Sequence, residues 1–141
     1  MTKPATFVEL IWERDLVFDA PGIFKPARGG ESLKIDSDSA AGPSPMQLVA
    51  MGLAGCMAID LLHILKKGRH DVRGLRAELR GKRADEEPRR FTDITLLFEI
   101  TGNVLPEHVE RAIKLSRDKY CSVWHSLRQD IDLHTTFTIF Q

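Results

Sequence analysis

Residues 43–68 read PSPMQLVAMGLAGCMAIDLLHILKKG, and this run decides the fold. Ser44 is a natural N-cap and Pro45 suits a first helical position, so a helix is expected over Met46–Lys67, stopped at Gly68. The run is apolar almost all round until Asp60, the pattern of a helix buried on most sides. Gly52 and Gly55 each cost about 1 kcal/mol of helix propensity against alanine. With Ala50, Ala54 and Ala58 they keep the helix narrow, which predicts close packing against a second helix or a partner subunit. Lys66, Lys67 and Arg69 suit the negative pole of the helix dipole. A run of this length can cross a bilayer. Gln47, Asp60 and His63 make that costly, so a helix in a soluble core is expected, with no membrane.

Before this helix the chain reads as a meander of hairpins. Ala5–Phe18 is expected as a strand with a charged break at Glu13-Arg14-Asp15, followed by a turn at Asp19-Ala20-Pro21-Gly22. Short strands are expected at Ile23-Phe24 and Leu33–Asp36, around an Arg28-Gly29-Gly30 loop. After the helix, Asp71–Arg83 alternates apolar and charged residues, with Gly74 marking a bulge. Phe91–Thr101 alternates cleanly, so the two form a hairpin across a charged Ala84–Arg90 turn. Pro106–Tyr120 is an amphipathic helix, Ser122–Gln129 a short second one, and Ile131–Phe140 a closing strand. This order describes a single α+β domain over residues 1–141.

Twenty basic and twenty acidic residues leave no net charge, which argues against a nucleic-acid partner. The first sixteen residues carry Lys3, Glu9, Glu13, Arg14 and Asp15 and lack the apolar core of a secretory signal, so a cytoplasmic location is expected. No GxSxG, P-loop or GxGxxG occurs; Ser44 has no triad partners, and Asp85, Glu86 and Glu87 read as a solvated turn.

The chemistry therefore rests on two cysteines. Cys56 lies about three turns into its helix, beyond the reach of the dipole, so a reactive Cys56 needs a cation from elsewhere: Arg14, Arg28 or a basic group of a partner chain. Cys121 falls where one helix stops and another begins, beside Lys119, which makes it the more easily ionised thiol on local grounds. The plain alternative is two small buried hydrophobes. A metal could use Cys56 with His63, or Cys121 with His125, but CxxC, HxxxH and HExxH are all absent, so no metal or cofactor is expected. His108 reads as solvated and His134 as structural.

Gly42-Pro43-Ser44-Pro45-Met46-Gln47-Leu48 followed by Ala54-Gly55-Cys56 resembles the central-helix signature of the OsmC/Ohr family. Lys119-Tyr120-Cys121-Ser122-Val123 resembles that family's second cysteine motif, and Ala58-Ile59-Asp60-Leu61 stands where a subgroup carries SIDV-type residues. The resemblance spans the whole chain. It implies an α+β fold with curved antiparallel sheets packed on long central helices, two intertwined subunits, and active sites at the interface of a homodimer.

It also implies a chemistry. In the peroxide-reducing members the first cysteine attacks the O–O bond and the second resolves the sulfenic acid as a disulfide. Those roles fall here on Cys56 and Cys121. A dithiol such as a lipoyl group would restore the thiols, and Arg14 matches the arginine that holds the thiolate. Two positions depart from the pattern. The glutamate ten residues before the first cysteine is Met46, beside an uncharged Gln47, and the proline after the second is Ser122. An organic hydroperoxide peroxidase is thus implied. The alternative is a non-peroxidase dimer that binds a small apolar ligand or senses redox state in the same cleft.

Overall fold

Alternation and turn chemistry place the first strands differently from the expectation. A computed structural model describes residues 5–23 and 31–141. In it the chain turns at Asp15-Leu16, just after the charged Glu13 and Arg14 that close the first strand, splitting the expected long strand into β1, Ile11–Arg14, and β2, Val17–Ala20. Asp15 takes a left-handed φ of 44°, a conformation that Asp tolerates better than most residues. Trp12 Nε1 donates to its carbonyl at 2.9 Å. Residues 5–10 form no strand. The turn ends at Gly22, φ 71°, and Ile23 is not in a strand; Phe24 and the Arg28-Gly29-Gly30 loop lie outside the described residues.

β3, Leu33–Asp36, pairs antiparallel with β2 and completes a sheet of order β1-β2-β3. The loop that follows is organised by Asp36, a buried side chain. Its carboxylate accepts from the amides of Asp38 (2.9 Å), Ala40 (3.1 Å) and Ala41 (2.8 Å). Those donors, Ala41 first, hold its pKa below the usual carboxylate value. Gly42 is required here: a Cβ would sit 2.0 Å from the Lys34 carbonyl oxygen.

Helix α1 runs over Pro45–Lys67. Ser44 Oγ accepts from the Gln47 amide at 3.2 Å, and Gln47 Oε1 accepts from the Ser44 amide at 2.8 Å, a reciprocal capping box. Its far end is a Schellman turn, in which the His70 amide donates to Leu65 and the Arg69 amide to Lys66. The left-handed position of that turn belongs to Arg69, φ 63°, not to the expected Gly68. α1 buries one stripe, Leu53, Met57, Leu61 and Leu65, at a spacing of one turn. Burial on most sides is not met within one chain, where Met51 is 60% and Ile59 69% exposed. A Cβ at Gly55 would meet nothing, and one at Gly52 would only touch Val123 at 3.9 Å, so neighbours within the chain do not require these glycines. By length and hydropathy alone α1 could cross a bilayer.

The described chain divides into two compact units, residues 1–49 and 50–141. In the second, β4 (Asp71–Arg83) and β5 (Phe91–Asn103) pair antiparallel, with the bulge falling between Val72 and Gly74 as Gly74 suggested. Ile94, Leu96, Phe98 and Ile100 of β5 share one buried face. α2 covers Pro106–Leu115, and the expected single helix to Tyr120 gives way to a π-helical turn at Ser116–Tyr120. α3 is Ser122–Ser126 and β6 is Asp132–Phe140. β6 lies parallel to the central β5, with Ile94 opposite Leu133, so this sheet is mixed and not wholly antiparallel. The crossover through α2 and α3 explains it: a helical connection returns the chain to the starting edge, where it runs in the same direction.

Candidate redox site

Cys121 is placed by three local hydrogen bonds, one of them from the His125 amide to its carbonyl at 3.1 Å. Its amide donates to the Ser116 carbonyl at 2.7 Å, closing the π-helical turn. It caps α3, and its Sγ accepts from the Trp124 amide at 3.3 Å. The side chain is fully buried. These constraints bring its sulfur to α1, where Cys56 projects, half-buried, from the turn above Asp60. The two sulfurs and a carboxylate oxygen of Asp60 all lie within 4.8 Å of one another. Residues sixty-five positions apart in sequence thus share one cluster, both as free thiols.

The expectation that Cys121 is the more easily ionised thiol is overturned. Burial, more than any other cause, pushes its pKa up to about 12, and the neighbouring Cys56 and Asp60 add to the rise. The Trp124 amide opposes the shift but is too weak to reverse it. α3 is only five residues long and carries little dipole. Lys119 does not serve the thiol either; its ammonium sits 5.2 Å from the centre of the Tyr120 ring.

Asp60 is the member of the cluster that the sequence did not announce as functional. Ser116, itself fully buried, donates from Oγ to Asp60 Oδ2 at 2.7 Å. The four-residue spacing of Cys56 and Asp60, which puts both on one helix face, was the available signal. Nothing local to Ser116 marks it; its placement depends on the π-helical turn. Asp60 also lines a cleft of about 550 Å³ with His63, Ile64, Lys67, Arg111 and Tyr120.

Among the described residues, Cys56, Asp60 and Cys121 are the set that could hold a metal. The histidines are elsewhere. His63 faces the cleft, and a His125 ring nitrogen lies 3.0 Å from the Arg117 carbonyl. His134 meets Asp132 at 3.0 Å on the surface. His108, expected to be solvated, is half-buried and stacks on His70 with ring centres 4.3 Å apart. Arg14 ends β1 in the first unit, where its guanidinium lies 3.9 Å from Asp15 and its side chain is largely exposed. Arg28 lies outside the described residues.

Comparison with known proteins places the chain in a family and a fold. Protein YhfA of Escherichia coli (strain K12) is 37% identical over 129 residues, which cover 91% of this chain and 93% of YhfA. The crystal structure of a hypothetical protein from Aquifex aeolicus VF5 superposes with a TM-score of 0.84 at 26% identity, covering 97% of both chains. The organic hydroperoxide resistance protein OhrB of Bacillus subtilis shares the fold at a TM-score of 0.65 and 16% identity, covering 94% of this chain and 98% of OhrB. A family model described as OsmC-like protein matches residues 36–136, and the chain belongs to that family.

Proposed function

We propose that this protein is a thiol-dependent peroxidase that reduces organic hydroperoxides, working as a cytoplasmic homodimer. The observation that carries the reading is the clustering of Cys56 and Cys121 within 4.8 Å, one half-buried and one sealed. A peroxide can approach only the first. The Cys56 thiolate attacks the outer peroxide oxygen, the O–O bond breaks, and the leaving alkoxide takes a proton from solvent and departs as the alcohol, giving a sulfenic acid. Cys121 then attacks that sulfur, the S–O bond breaks, water departs, and a disulfide forms. A dithiol reductant, a lipoyl group for instance, takes the disulfide back to two thiols. The family resemblance supplies a cationic partner for the thiolate in Arg14, and Arg14→Ala should slow the first step only. The apolar face of α1 that one chain leaves exposed, including Met51 and Ile59, supports dimerisation. Sedimentation at micromolar concentration should find a dimer, and a monomer would contradict this part of the proposal. Zero net charge suits a protein that needs neither nucleic acid nor a membrane.

The test is hydroperoxide consumption with a small thiol as reductant. Cys56→Ser should abolish it, whereas Cys121→Ser should keep it, because the external thiol can resolve the sulfenic acid. Equal consumption by Cys56→Ser and the parent protein would refute the assignment.

Met46 at the family's glutamate position and the cleft beside Asp60 favour a second reading, a dimer that binds a small apolar ligand or senses redox state. Thermal stabilisation by apolar ligands, in a protein that leaves hydroperoxides unconsumed, would support it.

A further inference from the structure

Resolution of a Cys56 sulfenic acid requires Cys121 to lose its proton inside a sealed site. The Cys121 side chain is fully buried and its pKa is pushed up, so at neutral pH solvent removes that proton only slowly. A base must stand beside it. The carboxylate oxygen within 4.8 Å of both sulfurs belongs to Asp60, and among the described residues no other carboxylate joins the cluster. Ser116 ties this base to its thiol from both sides. Its hydroxyl donates to Asp60 Oδ2 and its carbonyl accepts from the Cys121 amide, each at 2.7 Å. The other carboxylate oxygen has no hydrogen bond among the described residues, and Asp60 lines the cleft.

We propose that Asp60 is the proton acceptor that activates Cys121 for attack on the oxidised Cys56 sulfur, held in place by Ser116. This deepens the peroxidase reading and rests on it for its physiological context. In the resolving step the Cys121 S–H proton passes to the Asp60 carboxylate as the new S–S bond forms. The Cys56 S–O bond breaks, and the departing hydroxide takes the proton from Asp60 and leaves as water. Cys121 is oxidised and the sulfenic sulfur reduced by the same electron pair. The charge of Asp60 also disfavours a resting Cys121 thiolate, so the thiol is spent only when a partner sulfur is ready. The groups that face Asp60 are Cys56 on its own helix, Ser116 and Cys121 across from it, and His63, Lys67, Arg111 and Tyr120 around the cleft.

The test uses dithionitrobenzoate with the intact protein and needs no peroxide. The reagent makes a mixed disulfide on Cys56, releasing one thionitrobenzoate. Cys121 then displaces the second, breaking the Cys56 mixed disulfide and forming the Cys56–Cys121 bond. Asp60→Asn should still give the first release, at a rate set by Cys56 in its altered surroundings, so the second release is read relative to the first. The substitution should slow the second at least about tenfold at pH 7, a conservative share of what a positioned base supplies. The gap should close as rising pH lets hydroxide replace the base, and Asp60→Glu should recover part of the rate. Should Asp60→Asn fail to fold, Ser116→Ala carries the test, with a smaller slowing of the second release alone. An unchanged second release, or a slowing equal at every pH, overturns the role of Asp60. Dependence on Asp60 in this assay together with no reaction towards hydroperoxide would instead remove the peroxidase reading and keep the proton acceptor.

Discussion

Oxidation should make this protein markedly harder to unfold, and the size of the gain follows from where the two sulfurs sit. Cys56 and Cys121 already lie within 4.8 Å, so joining them asks for a short movement of side chains. The bond would close a loop of about 65 residues, and the loss of chain entropy in the unfolded state corresponds to about 4 kcal/mol at 25 °C. With a denaturant slope of about 2 kcal/mol/M in urea, the midpoint should rise by about 2 M. The assay is paired urea unfolding of reduced and oxidised protein at one fixed protein concentration, followed by Trp fluorescence. Cys121→Ser, which cannot form the bond, serves as control. A Cys56–Cys121 disulfide that leaves the midpoint unchanged, or lowers it, would show that the bond strains the fold. The picture of two thiols poised to pair would then be wrong.

Three further outcomes follow from particular groups. Gly42→Ala should destabilise the first unit by about 1–3 kcal/mol in urea, the usual cost of overpacking, because its Cβ would sit 2.0 Å from the Lys34 carbonyl oxygen; an unchanged midpoint would contradict that close approach. Asp36 has a pKa lowered by the amides of Ala41, Asp38 and Ala40, so its contribution is complete above its unfolded value near 3.8 and is lost as pH falls through the lower folded value. Acid titration of Trp fluorescence should therefore show a shallower acid limb in Asp36→Asn, and superimposable acid limbs would refute it. Cys121 has a raised pKa, so its preference for the thiol is fully felt below about 9 and fades as pH rises towards about 12. Iodoacetamide near pH 8 should then alkylate Cys56 well before Cys121, and peptide mapping that finds Cys121 labelled first would reverse the assigned roles.

Much of the architecture was legible because it is written in local patterns. Ser44-Pro45 and the apolar run to Lys67 specify α1, and the alternation through Asp71–Arg83 and Phe91–Thr101 specifies the hairpin. What failed to show were features decided by tertiary placement. The first strand was overextended because Phe7, Val8 and Leu10 have β propensity, yet the backbone turns at Asp15. The parallel pairing of β6 with β5 has no signature within β6 itself, since its residues would alternate equally well in either direction. The helix after Pro106 changes to a π-helical turn at Ser116, and that one extra residue in the turn is what aims Cys121 at α1. The same limits apply at the site. The two cysteines could be named from their motifs, but burial pushes the Cys121 thiol up where its place at a helix start had suggested the opposite, and Ser116 became visible only through its bond to Asp60.

The proposed function stands or falls on Cys56 and Cys121 working as one redox pair. The most direct measurement is intact mass and peptide mapping after one equivalent of an organic hydroperoxide. Loss of two hydrogens and a cross-linked peptide joining Cys56 to Cys121 are expected. Unchanged mass with both thiols titratable after unfolding would contradict it, as would a Cys56 driven to sulfinic acid with Cys121 still free.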